Sequence, residues 1–264
     1  MARAKRRLGQ HFLSDPGILG RIADALGAGP DDTVLEIGPG PGGLTAQLAA
    51  RAGRVVAIEK DRELVPALRQ RFPDATIVEG DALQADWRAL AGRRFLVAGN
   101  IPYNITSPLI DRALEPPRPE RIVFLVQKEV ADRVTASAGG RDYGALSVGV
   151  QSVARAERLF TVPAGAFQPR PRVDSAVLRL SPLAEPLVEP TEQADFRRLV
   201  VGLFGFRRKQ LARGLRELTG WDSERVGAVL ERAGLAGHVR PEVLSPAAFT
   251  ALLRALVDGG WAAR

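Results

Sequence analysis

Val34-Leu-Glu-Ile-Gly-Pro-Gly-Pro-Gly-Gly-Leu-Thr45 joins a short apolar run to a glycine-rich turn and then to an amphipathic stretch. That order reads as a buried strand, a tight turn and the start of a helix. Gly38, Gly40 and Gly43 satisfy the G-x-G-x-x-G spacing that lets a backbone pass close to a nucleotide. Pro39 and Pro41 each remove an N–H from the loop, which makes it a poor pyrophosphate cradle. A nucleoside carrying an amino-acid tail asks less of those donors, and S-adenosylmethionine is such a ligand. The same glycines also suit a purely structural turn. Glu59 ends the next apolar run about 20 residues on, where an acid commonly meets ribose hydroxyls, and it favours the binding reading.

Working outward, Val55-Val-Ala-Ile58, Thr76-Ile-Val78, Phe95-Leu-Val97 and Ile122-Val-Phe-Leu-Val126 read as further buried parallel strands. Helical stretches are expected over residues 44–51 and 62–71, and strand-helix alternation of this kind predicts a doubly wound α/β sheet. Two more helices are expected near 128–136 and 146–154. Extended runs then follow at 159–162 and 176–180, joined by Phe167-Gln-Pro-Arg-Pro-Arg-Val173. Ser181-Pro-Leu-Ala-Glu-Pro-Leu-Val-Glu-Pro190 reads as a linker, after which the pattern is helical. Thr191 and Asp222 are expected N-caps, and Ser245 before Pro246 is a helix start. The expected division is a catalytic domain over 1–182 and a small domain of about four helices over 191–264.

Arginine and lysine total 37 against 30 acids, a net charge of +7, and only Lys5, Lys60, Lys128 and Lys209 are lysines. Arginine forks match phosphate oxygens and stack on bases, which fits a nucleic-acid partner; an arginine-rich proteome explains the composition equally well. Without cysteine there is no disulfide, thiolate nucleophile or Cys-ligated zinc, and two histidines, His11 and His238, exclude a His-rich metal site. No apolar run reaches membrane-spanning length and the charged amino terminus lacks an apolar core, so a cytoplasmic protein is expected, without metal or membrane. A monomer is expected as well.

Three further stretches carry chemistry. Asp81, in Gly80-Asp-Ala-Leu83, follows the third of these strands, where its carboxylate either accepts from a cofactor adenine amine or caps the next helix. The chain's two asparagines both fall in Asn100-Ile-Pro-Tyr-Asn104, at the end of the fourth strand. The Asn100 side-chain oxygen can take one hydrogen of an exocyclic amine and the Ile101 carbonyl the other, since Pro102 biases Ile101 toward extended backbone. Tyr103 offers a flat face for stacking, and the set suits adenine N6. Two acceptors on that amine would favour a pyramidal nitrogen with its lone pair aimed at a sulfonium methyl, so the enzyme's contribution is orientation and electrostatics. Phe167 either covers the second face of that base or belongs to the core.

Together Gly9-Gln-His-Phe-Leu13, Glu36–Thr45, Gly80–Leu83, Asn100–Tyr103, Phe167–Ser175 and the basic Arg207-Arg-Lys-Gln-Leu211 resemble the KsgA (RsmA) family of rRNA adenine N6,N6-dimethyltransferases over nearly the whole chain. The resemblance implies a class I methyltransferase fold, a Rossmann-like, mostly parallel sheet with a small all-helical C-terminal domain. It also implies S-adenosylmethionine as cofactor and two adjacent adenines near the 3′ end of 16S rRNA, in the immature 30S subunit, as target. By the same resemblance Gln10, His11 and Leu13 help enclose the cofactor, Gly38 and Gly40 lie against its methionine part, Glu59 holds its ribose, and Asp81 with Ala82 reads its adenine. Asn100, Tyr103 and Phe167 are the implied catalytic set, and Asn100 also borders the cofactor. His11 stands where many relatives carry Asn.

Arg3, Lys5, Arg6, Arg7, Arg207, Arg208, Lys209 and Arg213 are the expected RNA-facing cations, although such clusters also occur as solvated faces. A target inside folded rRNA must present an unstacked or flipped base. An Erm-type enzyme of 23S rRNA and a non-catalytic assembly factor on the same fold are the main alternatives. A nicotinamide-dependent oxidoreductase rests on the glycine spacing alone. Val173-Asp-Ser-Ala176 and Asn104-Ile-Thr-Ser-Pro108 resemble the small-subunit group.

Overall fold

The structure, a computed structural model, describes residues 9–262. Arg3, Lys5, Arg6 and Arg7, expected to meet RNA, lie outside the described residues. The chain divides into two compact units, one formed by residues up to Ala131 with Arg155–Pro182, the other by Asp132–Ala154 with the residues from Leu183 onward.

In the first unit the chain runs β1 (Phe12–Leu13), α1 (Pro16–Leu26), β2 (Thr33–Ile37), α2 (Gly43–Ala49), β3 (Arg54–Glu59), α3 (Val65–Arg71), β4 (Thr76–Glu79), α4 (Trp87–Ala91), β5 (Leu96–Asn100), α5 (Thr106–Ala113) and β6 (Arg121–Gln127). After α6 (Lys128–Val134) and α7 (Ala145–Gln151) come β7 (Ala154–Val162), β8 (Phe167–Gln168) and β9 (Ser175–Pro182). Seven strands form one sheet in the order β4-β3-β2-β5-β6-β9-β7. The pairs of β2 with β3 and β5, of β3 with β4 and of β5 with β6 are parallel, and β9 returns antiparallel to β6.

The five expected parallel strands are all present. Their apolar runs are buried because helices cover the sheet: Ile22 and Leu26 of α1 and Leu48 of α2 pack on Val34, Val55 and Leu96. Each such side chain contributes about 1.5–3 kcal/mol on burial. α1 starts where the Asp15 side chain accepts from Ile18 N and ends at Gly27, whose φ of 65° needs glycine. The sequence order places the topological switch between β2 and β5, and ligands of such sheets bind beyond the strand ends at that point.

Three local differences from expectation have physical causes. The helix expected from residue 62 starts at Val65, because Asp61 accepts from Glu63 N and Leu64 N in a preceding turn, and Pro66 suits the first helical turn. The helix expected over 146–154 ends at Gln151, and Ala154, at the end of that span, opens β7. β1 and β8, two residues each, pair antiparallel and are too short to show a period.

In the second unit α7 joins α8 (Gln193–Gly205), α9 (Leu211–Thr219), α10 (Ser223–Arg232) and α11 (Pro246–Asp258). Leucines spaced by four, Leu199 and Leu203, Leu211 and Leu215, Leu252 and Leu256, give each of α8, α9 and α11 one apolar face, and these faces share a core with Val148 of α7. That sharing is why residues 132–154 go with the helices rather than with the expected 1–182 domain. Asp222 and Ser245 cap α10 and α11, accepting from Arg225 N and Ala248 N. Thr191 caps nothing, since it sits in the 3₁₀ turn Pro190–Glu192. Among the described residues no helix is long and apolar enough to cross a membrane, and no group of His, Cys, Asp or Glu could hold a metal ion.

Candidate active site

The parallel strands β2 to β5 end on one side of the sheet, and the residues at those ends line a single cavity. Gln10, His11, Leu13, Gly38, Gly40, Glu59, Asp81, Ala82, Asn100 and Tyr103 all border it, so ten of the expected site residues come together there.

The glycine loop is shaped by backbone demands. Gly38 and Gly40 have φ of +65° and +57°, the left-handed region that side chains rarely adopt. A Cβ on Gly40 would stand 3.1 Å from the Phe12 ring, so β1 closes over this loop. Glu59 ties the loop to β3: its Oε2 accepts from Gly40 N at 2.9 Å and its Oε1 from Asp61 N at 2.7 Å. Burial pushes the Glu59 carboxyl above its ordinary pKa, and those two backbone donors pull it partly back.

Glu36, also on the cavity wall, is 1% exposed and sits among the apolar residues of β2. Its Oε2 and the neighbouring Thr45 Oγ1 have no hydrogen-bond partner. Burial, with the nearby Glu59 carboxyl adding to it, pushes the Glu36 pKa up to about 8; Thr45 lowers it only in part, without forming a bond of good geometry.

Asp81 is held between two donors, Lys60 Nζ at 2.7 Å on Oδ2 and Leu83 N at 3.0 Å on Oδ1. The Lys60 ammonium holds its carboxyl below the usual range. The next helix is capped by Asp86, which accepts from Arg88 N and Ala89 N, so Asp81 is free of that task. Beside it the Ala82 carbonyl takes the Trp87 indole N–H at 2.8 Å.

Asn100 closes β5, and its Nδ2 donates to the His11 carbonyl at 2.8 Å. A carbonyl only accepts, so the amide nitrogen faces His11 and Oδ1 is left as the acceptor. The Tyr103 hydroxyl pairs with Ser175 Oγ at 2.7 Å, and burial raises the phenol pKa, which keeps it protonated. The His11 ring stacks on Tyr103 with centroids 5.4 Å apart, while its Nδ1 donates to the Pro169 carbonyl at 2.8 Å.

Phe167, expected in the catalytic set, is placed away from the other two members. Its ring is 4% exposed, packs with Leu13 in the sheet core and does not border the cavity. The β1–β8 pairing, Leu13 opposite Phe167, fixes it there. The basic segment of the helical unit is partly neutralised: Arg207 bonds Glu242 at 2.5 Å, and Lys209 and Arg213 share Glu217, whereas Arg208 is exposed. Sequence reasoning missed Glu36, Lys60 and Asn104, all on the cavity wall. A charged residue inside the apolar run of β2 was the available signal for Glu36.

The cavity suits S-adenosylmethionine on its own donors and acceptors. An exposed-side carboxylate at Asp81, a buried one at Glu59 and an orphaned buried oxygen at Glu36 match an adenine amine, ribose hydroxyls and a tail ammonium in turn. The profile of the ribosomal RNA adenine dimethylase family matches residues 1–252. The chain is 45% identical to the ribosomal RNA small subunit methyltransferase A of Geobacter metallireducens, over 98% of this chain and 97% of that one. It is 44% identical to the protein of that name from Acidobacterium capsulatum, over 96% and 92%. Among solved structures, a dimethyladenosine transferase from Plasmodium falciparum superposes with a TM-score of 0.85 at 26% identity, over 95% of this chain and 98% of that one. The 23S rRNA methyltransferase ErmE does so with 0.73 at 32%, over 93% and 99%. The fold is that of class I methyltransferases, and with the family profile and these near-full-length identities the chain belongs to the ribosomal RNA adenine dimethylase family.

Proposed function

We propose that this protein transfers methyl groups from S-adenosylmethionine to N6 of two adjacent adenines near the 3′ end of 16S rRNA, forming N6,N6-dimethyladenosine in the immature small subunit. The observation that carries the reading is the fixed Asn100 carboxamide, its nitrogen on the His11 carbonyl and its oxygen left to accept, beside the Tyr103 ring in one cavity. The names of the relatives at 41–45% identity favour the small-subunit target over the large.

In this reading Asp81 with Ala82 takes the cofactor adenine and Glu59 the ribose hydroxyls. The glycine loop and Glu36 take the amino-acid tail, and Gln10, His11 and Leu13 close the cavity over it. When bound, the cofactor supplies an electrophilic methyl group on sulfur. Asn100 Oδ1 and the Ile101 carbonyl accept the two hydrogens of the target amine and turn its lone pair out of conjugation. After one methylation a single hydrogen remains, and one acceptor suffices to hold it. His11 covers one face of Tyr103, so the base stacks on the other. Neither Asn100 nor the protonated Tyr103 is a base, so the proton left on the methylated amine goes to solvent. Arg207, Arg208, Lys209 and Arg213 meet the rRNA backbone in the helical domain, and the protein works in the cytoplasm as a monomer.

Incubation with methyl-labelled S-adenosylmethionine and unmethylated ribosomal subunits, followed by nucleoside analysis of each rRNA, tests this directly. Label in N6,N6-dimethyladenosine from 16S rRNA is the expected result. Label in 23S rRNA would move the protein to the Erm type, and no label with the cofactor bound would favour an assembly factor.

A further inference from the structure

The cavity wall holds both asparagines of the chain, and the mechanism uses only one. Asn104 lies in the 3₁₀ turn Tyr103–Ile105, exposed, where the cavity wall meets solvent. Its carboxamide makes no hydrogen bond among the described residues. It does not start α5 either. Ile105 occupies that N-cap position without a side-chain bond, and the Thr106 hydroxyl turns back to the Pro102 and Tyr103 carbonyls. Its close neighbour is Gly9, whose φ is +63° and on which a Cβ would stand 2.9 Å from Asn104 Oδ1. The main chain of residue 9 thus lies against the carboxamide oxygen, and Asn104 as a whole remains exposed.

We propose that Asn104 is a specificity-determining residue that reads the nucleotide beside the target adenine and selects an adenine there. A carboxamide offers one donor and one acceptor side by side, the complement of adenine N7 and N6. Guanine presents two acceptors at the same edge and cannot take both bonds. The inference rests on the proposed function: with two adjacent adenines as substrate, whichever one enters between Asn100 and Tyr103 leaves the other at the mouth. A residue with no structural bond, at the cavity rim four positions from Asn100, is placed to read it.

The test uses small subunits reconstituted with 16S rRNA carrying A-A, A-G or G-A at the target pair, the full-length protein and labelled cofactor. Wild-type protein should methylate the single adenine of A-G and G-A with kcat/KM reduced roughly tenfold relative to A-A. Asn104→Ala should fall to that lower level on A-A and lose no more on the mixed pairs. Asn104→Asp keeps the shape against Gly9 but has no donor, and should lose the A-A preference in the same way. Cofactor Kd and thermal stability should stay at wild-type values in Asn104→Asp. Unchanged discrimination in both variants overturns the proposal, as does a loss explained by weaker cofactor binding, which would make Asn104 a support for the Gly9 segment. Absence of any 16S methylation by the wild type would overturn the functional reading first, and this inference with it.

Discussion

The side-chain nitrogen of Asn100 and the main-chain carbonyl of His11, 89 positions apart in the chain, meet at 2.8 Å. Because the acceptor belongs to the backbone, exchanging the His11 side chain leaves the Asn100 carboxamide oriented. Removing the carboxamide removes the proposed acceptor for the target amine while Glu59 and Asp81, at the other strand ends, stay in place. Asn100→Ala should therefore lower kcat on the order of 10²–10³-fold, the usual cost of one missing transition-state contact. Cofactor Kd, read by calorimetry, should change only a few-fold. Near-wild-type single-turnover rates in that variant would sink the role given to Asn100.

Glu36 should couple stability and cofactor binding to pH. Burial raises its pKa to about 8 in the folded protein from 4.5, so between those values the folded state keeps a proton that the unfolded state has lost. Stability then falls as pH rises through that window, and the loss is complete above about pH 8. Glu36→Gln, which mimics the protonated form, should melt close to wild type at pH 5 and above it at pH 9, by an amount on the order of a few kcal/mol. The same variant should bind S-adenosylmethionine more weakly, since a neutral amide cannot pair with the tail ammonium. In the wild type, affinity should climb with pH up to about 8 as the group ionises more readily. A melting difference that does not vary with pH would remove this account.

At Asp81 the two partners differ in what they decide. The Lys60–Asp81 pair is largely solvated, with side chains 59% and 28% exposed, so losing it should cost under about 1 kcal/mol of stability. Lys60→Met should keep cofactor binding within a few-fold, because Leu83 N still orients the carboxylate. Asp81→Ala removes the charged acceptor proposed for the adenine amine and should weaken cofactor binding roughly ten- to a hundredfold. Equilibrium binding of both variants checks the contrast; equal losses would mean that Lys60 itself meets the cofactor.

The parallel strands were legible because both faces of that sheet are buried, so each strand writes itself as a continuous apolar run such as Val55-Val-Ala-Ile58. The glycine loop, Glu59, Asp81 and Asn100 were legible for a related reason: each follows such a run at the strand end where ligands gather. Local patterns say nothing of pairings distant in sequence. The His11 carbonyl on Asn100, the two-residue strands that bury Phe167 and the packing of residues 132–154 with the helices all depend on such pairings. The exchange of Asp81 for Asp86 as the cap of α4 needed hydrogen-bond geometry, since both acids stand near the helix start.

Phe167 offers a test of whether a buried ring takes part in turnover. Packed with Leu13 in the sheet core, Phe167 contributes to stability, and Phe167→Ala should cost about 3–5 kcal/mol through the cavity it leaves. Phe167→Leu fills most of that space and should cost under about 1.5 kcal/mol. If the ring acts only through packing, the leucine variant keeps near-wild-type kcat at a temperature well below its Tm, and the alanine variant loses activity in step with its folded fraction. A leucine variant that stays folded, binds cofactor normally and yet loses turnover would show that the ring leaves the core to meet the base. The β1–β8 pairing of Leu13 with Phe167 would then have to open during the reaction.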